Sequence, residues 1–174
     1  IFTGDRSGDW LFRALHRAGF ANQPLSTGRD DGLELVDCYI AAVVRCAPPA
    51  NRPTPAERDT CLPYLVREMR ALSRMRVIVA LGSFAWDGAL RALGAVGAVQ
   101  GLEDAGRRIP VPRPRFGHGA EAMIASADGS HPVTLVGCYH PSQQNTFTGK
   151  LTEPALDEIF ARARALVDEG VPKS

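Results

Sequence analysis

Two groups of residues in this chain have the types and surroundings for chemistry. The first closes the stretch VTLVGCYHPSQQNTFTGKL, residues 133–151, where an apolar run delivers His140 and Pro141 and then turns polar. Pro141 stops the run, and Gly137 and Gly149 permit close backbone approach. Ser142, Gln143, Gln144 and Asn145 offer donors and acceptors without a carboxylate to hold a metal. Such a loop suits a polar polymer better than an ion. A lone histidine at a strand end also serves as a structural hydrogen-bonding group, so its position alone assigns His140 no role. The second group is Cys46 and Cys61, separated by APPANRPTPAERDT. That segment can fold back and bring the two thiols together. An isolated pair lacks the tight Cys-x-x-Cys spacing of zinc sites, and a disulfide does not fit a reducing cytosol. Half of a metal site and two unrelated cysteines are both open readings. Cys38 and Cys138 lie inside apolar runs, where a free cysteine behaves as a small hydrophobe.

The elements that must position these groups alternate between apolar runs and amphipathic helices, which argues an α/β chain. LVDCYIAAVVR (35–45), VIVALG (77–82) and VTLVGCYH (133–140) read as buried parallel strands covered on both faces. Thr54-Pro55-Ala56-Glu57 is a capping box with proline in the first turn, followed by Leu62, Leu65, Val66, Met69 and Leu72 on one helical face. Further helices start near Ser7, carrying Trp10, Leu11, Ala14 and Leu15, and after Ser83, carrying Trp86, Leu90 and Leu93. The last starts at Thr152, with Leu156, Ile159, Phe160, Ala163 and Val167 inward. The proline- and arginine-rich stretch from Gly101 to Ser130 reads as a long excursion, of the kind that is functional or mobile. In an open parallel sheet ligands bind beyond the carboxyl ends of the strands, where Cys46, Ser83 and His140 emerge.

Composition sets the outer limits. A chain of 174 residues with 45% hydrophobic content fits a single domain, 1–174, with a sizeable core. No apolar run approaches the roughly 20 residues needed to span a bilayer, and no secretory leader opens the sequence, so the expectation is a cytoplasmic protein without membrane contact. A net charge of +1 neither proposes nor excludes a nucleic-acid surface with its cations grouped on one face. The chain begins at Ile1, already inside what reads as a functional loop, and an N-terminal segment is expected to precede it.

Three long stretches, FTGDRSGDWLFRALHRAGFANQP (2–24), CYIAAVVRCAPPANRPTPAE (38–57) and CYHPSQQNTFTGKLT (138–152), carry a resemblance along nearly the whole chain. The sequence resembles the type 5 uracil-DNA glycosylases, the iron–sulfur branch of the uracil-DNA glycosylase superfamily with broad base specificity. The resemblance implies a three-layer α/β/α sandwich around a central, mainly parallel sheet of about four strands, one of them missing here. It implies a monomer acting on DNA that contains uracil or other deaminated bases. By the same resemblance Phe2 is the ring on which the extruded base stacks, Asn51 helps position water at the sugar, and His140 donates to the O2 side of the departing pyrimidine. Ser142, Gln143, Gln144, Asn145 and Lys150 then meet the DNA. Cys46 and Cys61 are two of the four thiolates of a [4Fe–4S] cluster, the other two coming from an N-terminal region that this chain lacks.

One departure bears on specificity. Type 4 relatives end the strand before the cluster cysteine in a Thr-Asn dipeptide whose asparagine reads uracil, whereas this chain has Ala41 and Ala42. A pocket bordered by Ala42 has no bidentate amide with which to reject other bases, so hypoxanthine is expected as a substrate beside uracil. A second departure, the absence of the family's first glycine-rich motif, leaves an alternative reading as a catalytically inactive nucleic-acid-binding fragment. A metal-dependent hydrolase using His118, His131 and His140 is the weakest reading, since no pair of histidines has helix-facing spacing with a carboxylate between.

Overall fold

The computed structural model of the chain describes residues 6–46, 53–95, 109–125 and 131–169. Phe2 and Asn51 lie outside them. Two compact units are distinguished, Ala41–Gly137 and the pairing of Ile1–Ile40 with Cys138–Ser174.

In the central unit, helix α2 (Pro55–Ala71) begins as its sequence demands. The Glu57 amide donates to Thr54 Oγ1 at 3.2 Å while the Thr54 amide donates to Glu57 Oε2 at 2.7 Å, which satisfies two otherwise orphaned amides at the helix start. Strand β1 (Val77–Leu81) leads into α3 (Ser83–Ala95), and β2 (Glu121–Ile124) and β3 (Val133–Cys138) complete a three-stranded sheet in the order β1-β3-β2. β3 lies in the middle and is apolar almost throughout, as a strand with neighbours on both edges and cover on its faces should be. β2 runs antiparallel to it, with Ala122 opposite Leu135 and Ile124 opposite Val133. Along β2 burial alternates, Ala122 and Ile124 inward and Glu121 and Met123 outward, which marks a strand with one wet face. Trp86, Leu90 and Leu93 of α3 pack with Ile124 and Leu135 in the main core, each large side chain contributing about 1.5–3 kcal/mol on burial. Leu65 and Val66 of α2 form a second cluster with Ala92, against which Val43 and Leu62 pack.

The other unit pairs α1 (Arg6–Arg17) with α5 (Glu153–Glu169). Leu11, Phe12 and Leu15 are buried on α1, and Leu156, Ile159 and Phe160 on α5. Arg17 reaches Asp157 at 2.8 Å and Glu153 at 3.5 Å, exposed pairs that set the helices' register more than their stability. Between Cys138 and α5 lies a five-residue helix, α4 (Gln143–Phe147).

Two expectations are corrected. Residues 35–45 do not form a strand: Leu35 makes one isolated bridge to Ala21, and Asp37 then adopts φ 51°, a left-handed conformation that ends extended pairing. Val36 and Tyr39 are about half exposed, so the apolar run is not covered on both faces as its composition suggested. The stretch 101–130 is not a bare excursion either. Its described part supplies β2, the Pro114 carbonyl accepts from Trp86 Nε1 at 3.0 Å, and Phe116 meets the Trp86 ring edge-on at 6.1 Å.

Candidate functional site

The His140 loop is held by its own polar residues. β3 ends in Cys138, which is fully buried; Tyr139 and His140 follow half-buried, and Pro141 is buried. Ser142 then caps α4, its hydroxyl accepting from the Asn145 amide at 3.4 Å. Asn145 turns back on the histidine: its Nδ2 donates to the His140 carbonyl at 2.9 Å, and its own carbonyl accepts from the Leu151 amide at 2.9 Å. One asparagine therefore ties the histidine's backbone to the far end of the loop, where Leu151 is 1% exposed. Thr148 closes the turn through Oγ1 to the Gln144 carbonyl at 2.7 Å, and Gly149 takes φ 69°, the left-handed position after a helix that favours glycine. Gln143, Gln144 and Lys150 face solvent, and the Lys150 ammonium lies 4.6 Å from the centre of the Tyr139 ring. The polar run is thus a capped helical turn with a rigid base, which composition alone read as loop.

The cysteine pair belongs to the central unit. Cys46 is exposed, Cys61 is half-buried, and both line a cavity of about 510 Å³ with Arg45, Ala56, Glu57 and Thr60. α2 fixes Cys61 through its capped first turns. The segment bearing Cys46 is fixed twice: Val43 lies so close to Gly88 of α3 that a Cβ there would press on both Val43 methyls, and Arg45 ion-pairs with Glu68 of α2. Arg45 and Arg67 also both lie 5.2 Å from the Tyr64 ring centre. Within the cavity wall, the Thr54 amide and then its hydroxyl hold the Glu57 carboxyl below its usual range.

The donor set fits half of a four-thiolate site. Soft thiolates are the ligands that iron–sulfur clusters select, and Cys46 and Cys61 line one space. Cys38 and Cys138 do not complete the set. Burial pushes their thiols up to about 11 and about 12, and neither lines the space that Cys46 and Cys61 share. Among the described residues no three His, Cys, Asp or Glu side chains gather as a metal site. The hydrolase reading loses its support there, and His131 instead bonds the Met75 carbonyl at 3.1 Å.

Ala42 is half-buried, five residues after the left-handed Asp37, in the segment that Val43 pins to α3. Sequence reasoning missed Arg45, Glu68 and Tyr64 as the clamp behind Cys46. The only signal was an arginine next to a candidate ligand, and surface ion pairs carry no sequence signature of their own. It also treated Asn145 as a DNA contact alone, without its bond to His140.

The profile of the uracil DNA glycosylase superfamily matches residues 1–164. The chain belongs to that superfamily. It is 52% identical over 167 residues to a type-5 uracil-DNA glycosylase of Mycobacterium bovis, covering 95% of this chain and 56% of the relative. A Mycobacterium leprae type-5 enzyme is 50% identical over 95% of this chain and 65% of its own length, and one from Thermus thermophilus 39% over 95% and 66%. The chain thus spans somewhat more than half the length of the curated relatives it matches. The α/β architecture agrees with the superfamily's fold, here with a mixed sheet of three strands among the described residues.

Proposed function

We propose that this chain acts in DNA base-excision repair as a glycosylase that extrudes uracil, and other deaminated bases such as hypoxanthine, and hydrolyses the N-glycosidic bond to leave an abasic site. The observation that carries the reading is His140, set at the end of a buried strand with its backbone held by Asn145, in a chain of this superfamily. Breaking the bond between C1′ and the base puts positive character on the sugar and negative charge on the leaving base. A donor already aimed at that growing charge stabilises the transition state more than the ground state, by about 3–4 kcal/mol. Fixing the histidine before the base arrives is what makes such a donor effective, and it need not be positively charged. Extrusion costs a few kcal/mol and least for a mispaired base, which itself selects damaged sites.

In this reading Phe2 stacks the base, Asn51 positions water, Ala42 borders the pocket without reading the base, and Ser142, Gln143, Gln144, Asn145 and Lys150 meet the DNA. Cys46 and Cys61 hold one side of a [4Fe–4S] cluster, which supplies a rigid cross-link between chain segments. The protein works as a cytoplasmic monomer. Cleavage of oligonucleotides carrying a single uracil or hypoxanthine, developed with alkali at the abasic site, tests all of this. Comparable release of both bases is expected. Strict uracil specificity would remove the role given to Ala42, and DNA binding without base release would leave the inactive nucleic-acid-binding fragment.

A further inference from the structure

The end of α2 and the turn behind it form a charged surface for which the His140 and cysteine sites have no use. Arg67, Arg70, Arg74 and Arg76 fall within ten residues. Between Thr60 and Trp86 the one acidic residue is Glu68, and its carboxylate already pairs with Arg45 from outside the stretch. Arg67 and Arg74 are exposed, Arg70 and Arg76 half-buried. Among the described residues no carboxylate pairs with Arg67, Arg74 or Arg76, and Arg67 lies 5.2 Å from the centre of the Tyr64 ring, a contact that keeps its charge. Arginine at a helix end has an ordinary use, which is to offset the helix dipole. That dipole amounts to about half a negative charge confined to the last turn, and Arg70 of that turn suffices for it. Arg74 and Arg76 lie beyond the helix and are left without that explanation.

The backbone beneath them is fixed. The Leu72 amide donates to the Glu68 carbonyl at 3.1 Å and the Met75 amide to the Leu72 carbonyl at 3.0 Å. The Arg76 carbonyl accepts from the Thr134 amide at 2.8 Å, and the His131 ring bonds the Met75 carbonyl at 3.1 Å. The cations thus ride on a turn tied to α2 on one side and to β3 on the other, which spares them the cost of ordering a loose backbone when they meet an anion.

We propose that this turn is a second phosphate-binding face, which takes the backbone of undamaged duplex DNA apart from the His140 loop. Arg76 immediately precedes β1 and Thr134 lies at the start of β3, whereas the chain reaches His140 from the other end of β3. A duplex fits this surface better than a protein partner does. Protein interfaces centre on desolvated apolar anchors and are depleted of charge at their core. Here the exposed ring, Tyr64, has the guanidiniums of Arg45 and Arg67 against it, and such planar forks match phosphate oxygens. Contacts of this kind carry no sequence information, and they hold a protein on DNA between the sites it acts on. The proposal rests on the reading that this chain works on DNA, but it does not need the reaction.

Fluorescence anisotropy of the full chain with a labelled, undamaged duplex over a series of salt concentrations separates the two, since no base is released. Arg74→Gln is expected to flatten the log–log slope by about 0.9, one lost phosphate contact on B-form DNA, and Arg67→Gln, Arg74→Gln and Arg76→Gln together by about 2.7. Lysine at the same three positions is expected to keep the slope. Arg29→Gln, which removes one exposed charge from the other unit, is expected to leave it unchanged. An unchanged slope in the triple glutamine variant, a change of equal size from Arg29→Gln, or a triple lysine variant as flat as the glutamine one overturns the proposal. Oligo-glutamate that binds as tightly as the duplex, and only while the three arginines are present, would give the face to an acidic protein instead. Excision of uracil by saturating protein is expected to be equal in the triple variant and the parent. Absence of excision with the slope change intact would sink the glycosylase reading and leave this face standing, and normal excision with an unchanged slope does the reverse.

Discussion

Beside the Cys46/Cys61 cavity Arg45 has a carboxylate as well as a ring, Glu68 and Tyr64, whereas on the His140 loop Lys150 and Arg6 lie against rings with no carboxylate pair among the described residues. Arg45 is taken up by Glu68, and Arg58 of the neighbouring turn by Asp59 at 2.8 Å and Asp87 at 3.2 Å. On the other side Lys150 lies over Tyr139 and Arg6 over Phe147. An ion pair satisfies both partners and leaves little field for a ligand, while a cation on a ring keeps its full charge and loses little of its hydration. The first arrangement suits a region that must hold its own backbone in place. The second suits one that must meet a polyanion. Backbone control differs too: the cysteine segment is held from outside by α2 and α3, and the histidine loop from within by Ser142, Asn145 and Thr148.

The largest expected effect would break the comparison on the cysteine side. Anaerobic reconstitution with iron and sulfide should leave this chain short of one cluster, and Cys61→Ser should remove the iron that it does hold while binding to undamaged duplex is unchanged. A full cluster on this chain, or iron that survives the substitution, contradicts the assignment. In the metal-free chain iodoacetamide should label Cys46 and Cys61 first. Cys38 and Cys138 should label only as pH rises toward their raised values near 11 and 12. Both have folded values above the ordinary 9.0, so their contribution to stability is intact below about pH 9 and is lost as pH climbs through that window.

His140→Ala comes next, with single-turnover excision of uracil slowed about 100- to 1,000-fold and iron content untouched. A loss under tenfold would reduce the histidine to a structural group. Gly137→Ala tests the strand beneath it, since a Cβ there would run into the Gly117 carbonyl. Overpacking of that kind costs about 1–3 kcal/mol, read as a lowered melting temperature, and an unchanged one would show that the 117–120 turn yields freely. Thr54→Ala removes the cap of the helix that carries Cys61 and should cost about 1 kcal/mol in denaturant unfolding. If it also left iron uptake unaltered, the cavity would owe more to Arg45 than to the helix start.

Much of this was legible in the residues. The capping box at Thr54, the buried faces of α3 and α5 and the apolar run of β3 follow from local chemistry and from periodicity, which neighbours in sequence carry by themselves. The run at 35–45 misled because β-branched and aromatic content reports a preference for extended backbone, not the presence of a partner strand. Only the left-handed turn at Asp37 and the exposure of Val36 and Tyr39 show that none is paired along it. β2 failed the other way: EAMI is too short and too mixed to announce a strand, and it becomes one because β3 offers it an edge.

The same division holds for the candidate site. The sequence by itself singled out the candidates for chemistry, His140 at the end of its apolar run and the Cys46 and Cys61 thiols, and carried a superfamily match along residues 1–164. What it left open was which polar residues face inward and which cations stay available. Asn145 and Lys150 are near neighbours of similar polarity, yet one is bonded to the His140 carbonyl and the other is set over an aromatic ring. Arg45 is clamped to Glu68 while Arg6 lies open over Phe147. Hydrogen bonds, ion pairs and ring contacts depend on distances between residues far apart in the chain, and those distances exist only once the elements have packed.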